Sequence, residues 1–147
     1  MLRRVRSALR LPWRDWLILF QAWLLLFFVD VALRILPFVK VQSILERPAQ
    51  DFGDQARPEL MPTMLRLHRL VDCAARYHLY QMSCLRQALV LQWLLRKRNI
   101  FADLRFGVRK DAGGLQAHAW LEYAGCPIGD VQAQMDVFAP LVAIEEA

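Results

Sequence analysis

Three side chains of the 147-residue chain have the types and the order needed for nucleophilic acyl chemistry: Cys84, His118 and Asp130. A thiol attacks a carbonyl as its thiolate, so a catalytic cysteine needs surroundings that favour the charged form. Cys84 stands at the expected start of a helix, where unpaired backbone N–H groups and the helix dipole favour negative charge. Cys73 falls inside a helical pattern and Cys126 follows a turn, so neither has that advantage. His118 falls in the middle of an expected strand. If that strand packs on the Cys84 helix, its imidazole can take the thiol proton as a general base. Asp130 falls on the next expected strand, from which a carboxylate can fix the tautomer and orientation of the ring. Each residue also has a purely structural reading: a small buried thiol, a hydrogen-bonded histidine, a turn or strand-end aspartate.

Positioning these groups requires a helix followed by antiparallel strands, and the patterning supplies both. Met64, Leu67, Leu70, Val71 and Ala74 recur at helical spacing, with Arg66, Arg69, Asp72 and Arg76 opposite, which predicts a helix ending near Tyr77. A second helix is expected over 84–98, with Ser83 as N-cap, Arg96, Lys97 and Arg98 in its last turn, and Asn99 in a left-handed cap. In the strand 103–109, Leu104, Phe106 and Val108 alternate with Arg105 and Arg109. After a hairpin loop at 110–114, the strand 116–123 puts Trp120 and Glu122 on the face of His118, and Ala117, Ala119 and Leu121 on the other. Ala124 and Gly125 form a turn into a third strand, 126–131. Two helices followed by antiparallel strands make the fold class α+β. The three cysteines have no CxxC spacing, and His68, His78 and His118 do not combine with them at ligand distances in sequence. Free thiols in a reducing compartment are expected, with no disulfide scaffold and no metal.

The charge is concentrated at one end. Arg3, Arg4, Arg6, Arg10 and Arg14 precede the first acid, Asp15, and account for the whole formal net charge of +5. Residues 15–147 are neutral overall, which excludes a basic surface for nucleic acid over the domain. A hydrophobic share of 56% excludes a disordered chain. Trp16 to Leu36 is apolar except for Gln21, Asp30 and Arg34. At ~1.5 Å per residue this segment just suffices to cross a bilayer, but a charge near the helix centre costs about 2.5–3.5 kcal/mol. Gln21 and Asp30 fall on opposite sides of the helix, so no clean amphipathic stripe emerges. Three readings are open: a helix buried in the domain or a partner interface, a membrane-associated helix, or a marginal span. A cleaved signal peptide is not expected, because no small-x-small site follows before Asp30. Pro37, Pro48, Gly53, Pro58 and Pro62 mark residues 37–62 as connecting chain. The expected division is therefore 1–62 (basic arm, apolar helix and connection) and 63–147 (the α+β core).

Several strings share a further likeness: Ser83-Cys84-Leu85-Arg86-Gln87-Ala88-Leu89, Leu94-Leu95-Arg96-Lys97-Arg98-Asn99-Ile100, Phe106-Gly107-Val108-Arg109 and Ala117-His118-Ala119-Trp120-Leu121-Glu122. Over about residues 64–131 the chain resembles the leader peptidases of lasso-peptide biosynthesis, which are small transglutaminase-like cysteine proteases. Asn99 stands where a glycine would be usual. The specific part is Ala-His-Ala-Trp after a Gly-Val-Arg strand. The resemblance implies a transglutaminase/papain-like core, its nucleophile helix packed on a small antiparallel sheet and preceded by an N-terminal apolar helix. It implies Cys84 as nucleophile, His118 as base and then acid, Asp130 as third member, no cofactor, and a precursor peptide as substrate. The backbone N–H of Cys84 would line the oxyanion hole, with Gln81 as a candidate side-chain donor. No small recognition domain precedes the protease in these residues, so the likeness is to the stand-alone form. That form implies a separate leader-recognition protein and hands its product to an ATP-dependent macrolactam synthetase. A reduced thiol and a ribosomal precursor are both cytoplasmic, whereas a single span with the arm inside would put Cys84 outside the cell. The N-terminal helix is therefore expected on the domain, on a partner or peripherally on a membrane. Acyl transfer by the same residues and a non-catalytic membrane-associated scaffold are the alternatives.

Overall fold

Pro12 precedes and Pro37 follows the longest helix, α1 (Trp13–Ile35). Leu36 is extended, the conformation favoured before a proline, and the helix stops there. The computed structural model describes residues 12–45, 57–111, 113–129 and 139–140. A short helix α2 (Phe38–Leu45) follows, and a 3-10 turn at Pro58–Leu60 leads into α3 (Met61–Arg76). The helix α4 (Cys84–Arg96) precedes the strands β1 (Asp103–Asp111), β2 (Gly114–Tyr123), β3 (Cys126–Pro127) and β4 (Ala139–Pro140). The sheet is antiparallel in the order β3-β2-β1-β4. The architecture is α+β, with an N-terminal apolar helix ahead of a helix packed on a small sheet.

The helix α4 lies at the centre, between α1 and α3 on one side and β1 and β2 on the other. Its residues Ala88, Leu89, Val90, Leu91, Leu94 and Leu95 are buried almost all round. Each such leucine or valine side chain contributes roughly 1.5–3 kcal/mol on burial. Gln92 is buried among them and satisfies its amide nitrogen on the carbonyl of Ala102 at 3.1 Å. At the C-terminal end Asn99 takes φ 57°, the left-handed conformation its short polar side chain tolerates. Ile100 N–H then reaches back to the Leu95 carbonyl (3.1 Å) and the Arg98 guanidinium to that of Leu94 (2.9 Å), closing the helix.

Several expected bounds move. The stretch 37–62, expected as connecting chain, holds the helix α2 (Phe38–Leu45), and α4 stops at Arg96 where 84–98 was expected. The strands β1 and β2 extend to Asp111 and back to Gly114, into the expected hairpin loop 110–114. The helix α3 begins at Met61, ahead of the first periodic residue, because Pro62 sits in its first turn, where a missing N–H costs nothing. The third strand ends at Pro127, where 126–131 was expected. Ile128 N–H still pairs with the Leu121 carbonyl (2.9 Å), but Gly129 turns the chain at φ 105°. A β-carbon at 129 would stand 2.5 Å from Nε2 of His68 on α3, so both space and conformation require glycine there.

The apolar helix packs its own side into the core. Ala22, Leu26 and Val29 of α1 are buried with Met64, Leu67 and Val71 of α3 and Leu89 of α4. Both of its acids are buried too, and each is paired. The Asp15 carboxylate accepts twice from the guanidinium of Arg66 on α3. Asp30 meets Arg34 one turn on at 3.0 Å and Arg86 of α4 at 2.8 Å. By length and composition α1 is long and apolar enough to cross a membrane, yet these contacts make one side of it part of the domain.

Candidate active site

Cys84 is the first residue of α4, half-buried, and Ser83 before it is extended (φ −69°, ψ 158°), as an N-cap residue is. The Ser83 hydroxyl makes no cap bond of its own, contrary to the usual use of serine at that position. It accepts instead from Arg86 Nη1 at 3.2 Å. Arg86 is the residue whose other nitrogen holds buried Asp30. A continuous polar chain thus runs from buried Asp30 on α1, through Arg86, to the residue beside the thiol. The turn leading in is fixed as well: Gln87 donates to the Met82 carbonyl at 3.1 Å, and Trp23 of α1 packs on His78 with ring centroids 4.9 Å apart.

His118 lies on β2 opposite Gly107 of β1. It marks the point along β2 where exposure gives way to burial: residues 114–117 are exposed, His118 is half-buried, and Ala119, Trp120 and Leu121 are buried. Its ring stacks on Trp120 (centroids 6.0 Å, 21° between planes), and Trp120 Nε1 donates to Glu122 Oε1 at 3.0 Å. His118, Trp120 and Glu122 thus share one face, as the alternation of β2 requires. Glu122 also receives Arg105 Nε at 3.1 Å, so the polar side of β1 is tied down by an ion pair. Burial pushes the His118 pKa below the ordinary imidazole value, because the cationic form loses hydration.

The elements carrying Cys84 and His118 are in direct contact, α4 against β2. Asp130 lies outside the described residues, immediately after the Gly129 turn. Gln81 is exposed three residues ahead of the thiol. The other cysteines are placed differently. Burial, and then the neighbouring Asp72 carboxylate, push the Cys73 thiol up and keep it protonated, while Cys126 is exposed at the start of β3.

The link from Asp30 through Arg86 to the start of α4 was not legible in the sequence, where Asp30 registers only as a cost within an apolar run. One signal was available: Asp15 and Asp30 are fifteen apart, about 60° around a helix, so both acids lie on one side. Buried carboxylates on one side of a helix call for cationic partners on the elements packed there.

The arrangement offers a half-buried thiol at a helix start and, on the strand packed against that helix, a half-buried imidazole whose burial favours its neutral form. A family model described as transglutaminase-like superfamily matches residues 23–143, from within α1 to beyond β4. Cysteine-protease or acyl-transfer chemistry is the type of activity which that match suggests. Neither the curated proteins nor the solved structures gave a significant match.

Proposed function

This chain belongs to the transglutaminase-like superfamily, and we propose that it is a cysteine peptidase that removes the leader from a ribosomally made lasso-peptide precursor. The observation that supports this best is Cys84 at the first residue of a helix packed on the strand of His118, inside the matched span. The strings around Cys84 and His118 that resemble lasso leader peptidases narrow the substrate.

In this mechanism His118 takes the Cys84 proton and the thiolate attacks the backbone carbonyl that joins leader to core. The tetrahedral oxyanion accepts from the backbone N–H of Cys84. Collapse breaks the C–N bond as His118 returns its proton to the leaving amine, which frees the core peptide and leaves the leader as a thioester. Water, deprotonated by His118, then hydrolyses the thioester and regenerates the thiol. Asp130 orients the imidazole. A separate recognition protein presents the leader, and the freed amine passes to a macrolactam synthetase. The site works in the reducing cytoplasm, where Cys84 stays a free thiol.

The test is precursor, recognition protein and enzyme incubated in heavy-oxygen water, with the products read by mass spectrometry. Hydrolysis puts label in the new carboxylate of the leader. A product joined to an amine without label would establish acyl transfer instead, and turnover insensitive to a thiol-alkylating agent would remove the cysteine mechanism altogether.

The pH profile follows from the burial of His118. A depressed pKa means that the imidazole stays neutral, and able to accept a proton, to a lower pH than an exposed histidine. As pH falls through that lowered value the base is lost, so the acid limb of kcat/KM is expected to have its midpoint below the ordinary value of about 6.5. A midpoint at or above it, measured with the precursor, would contradict His118 as the base in this environment.

A further inference from the structure

The outward side of α1 is as apolar as its buried side. Trp16, Leu17, Phe20, Phe27, Phe28 and Ile35 are exposed, Phe20 and Phe28 to 62% each. At about 100° per residue they fall within roughly 60° of a single line along the helix. Half-buried Leu24 and Val31 lie on the same line. A continuous strip of large apolar side chains on a small domain marks a surface that something covers.

Charge identifies the covering chemistry. The two acids of α1, Asp15 and Asp30, are both turned into the protein by their pairs with Arg66 and Arg86, so the strip carries no carboxylate. Its N-terminal end carries Arg14, whose guanidinium lies 5.9 Å from the centroid of the exposed Trp13 ring. Arg3, Arg4, Arg6 and Arg10 precede it in the sequence. An apolar strip with aromatic residues, with Arg14 at its N-terminal end and four more arginines before it in the sequence, is complementary to an anionic lipid surface, whose headgroups meet cations while the strip enters the acyl boundary. A second copy of the same face would bring more positive charge and no counter-charge.

We propose that α1 docks the protein peripherally on an anionic bilayer, its inner side remaining in the domain core. A spanning arrangement would strip Asp15 and Asp30 of their partners in hydrocarbon.

The experiment is flotation of the full-length protein with vesicles of phosphatidylcholine alone or mixed with phosphatidylglycerol, at about physiological salt. Partition is expected to be at least about tenfold greater with phosphatidylglycerol and to fall as salt rises. Phe20→Ser with Phe28→Ser is expected to lose binding to both vesicles while keeping the thermal melt of the parent. Replacing Arg3, Arg4, Arg6 and Arg10 by serine is expected to remove the preference for phosphatidylglycerol. Absence of flotation, equal flotation with both vesicles, or retention through high salt and alkaline carbonate would overturn the proposal. So would a dimer that Phe20→Ser with Phe28→Ser dissociates in the absence of any vesicle binding.

Discussion

Replacing Cys84 by alanine is expected to abolish release of the leader, lowering kcat by at least about a thousandfold. The chain would keep its fold, because Cys84 is only half-buried and contributes no side-chain bond to the cap of α4. Cys73→Ala and Cys126→Ala should retain activity, since one thiol is held protonated by burial beside Asp72 and the other is exposed on β3. His118→Ala should lose activity on a similar scale. The double variant should be no worse than either single one, since nucleophile and base act as a unit and their losses do not add. Rates measured by mass spectrometry of the released leader decide this. Retained cleavage in Cys84→Ala would end the cysteine-peptidase reading. Because Cys126 is exposed, alkylation of Cys84 is best followed in a Cys126→Ala background, where the label reports one fewer thiol.

Removing the carboxylate of Asp30 is expected to cost stability on the scale of a large core truncation. Asp30→Ala leaves Arg86 without its counter-charge, with only 24% of its side chain exposed. Breaking a buried pair from one side costs about 3–5 kcal/mol, since the remaining charge is desolvated and uncompensated. For a chain of this length that is a fall in melting temperature of about 10 °C. Arg34 contributes little to this figure, because its side chain is 66% exposed and solvent screens it. Asp30→Ala combined with Arg86→Met should melt closer to the parent than Asp30→Ala alone, since the orphaned charge is gone. The change should also reach the thiol. Arg86 bonds the Ser83 hydroxyl, so losing its anchor loosens the residue that enters the nucleophile helix. A drop in kcat with little change in KM, measured well below the melting temperature, is the signature of a misplaced nucleophile. A melting temperature within a degree or so of the parent would show that the pair contributes nothing.

How much of this could be read from the chain depends on how local each cause is. The start of α4 was legible because Ser83 precedes an apolar run, and its end because three basic residues and Asn99 mark it. The hairpin after β2 was legible because a glycine follows the alternating run, and Ala124 and Gly125 do adopt positive φ, at 50° and 76°. The extent of β3 was not: its ladder with β2 stops at Pro127, and Gly129, close against His68, takes a positive φ that a strand does not use. That contact joins α3 to the segment entering Asp130, residues far apart in sequence, and no window of local pattern contains both. The serine cap failed for a related reason: the Ser83 hydroxyl accepts from Arg86 three residues on, and Arg86 is held by Asp30, which is distant in sequence.

The N-terminal helix divides the two kinds of knowledge most clearly. From its residues alone followed its length, its apolarity, the arginines before it and the charges that argue against a simple span. Which side faces the core did not follow, because a helix apolar on both sides has no polar stripe to mark the outside. Arg66 and Arg86 decide it. They lie on α3 and α4, distant in sequence, and capture Asp15 and Asp30 on one side of α1, which leaves the aromatic strip on the other.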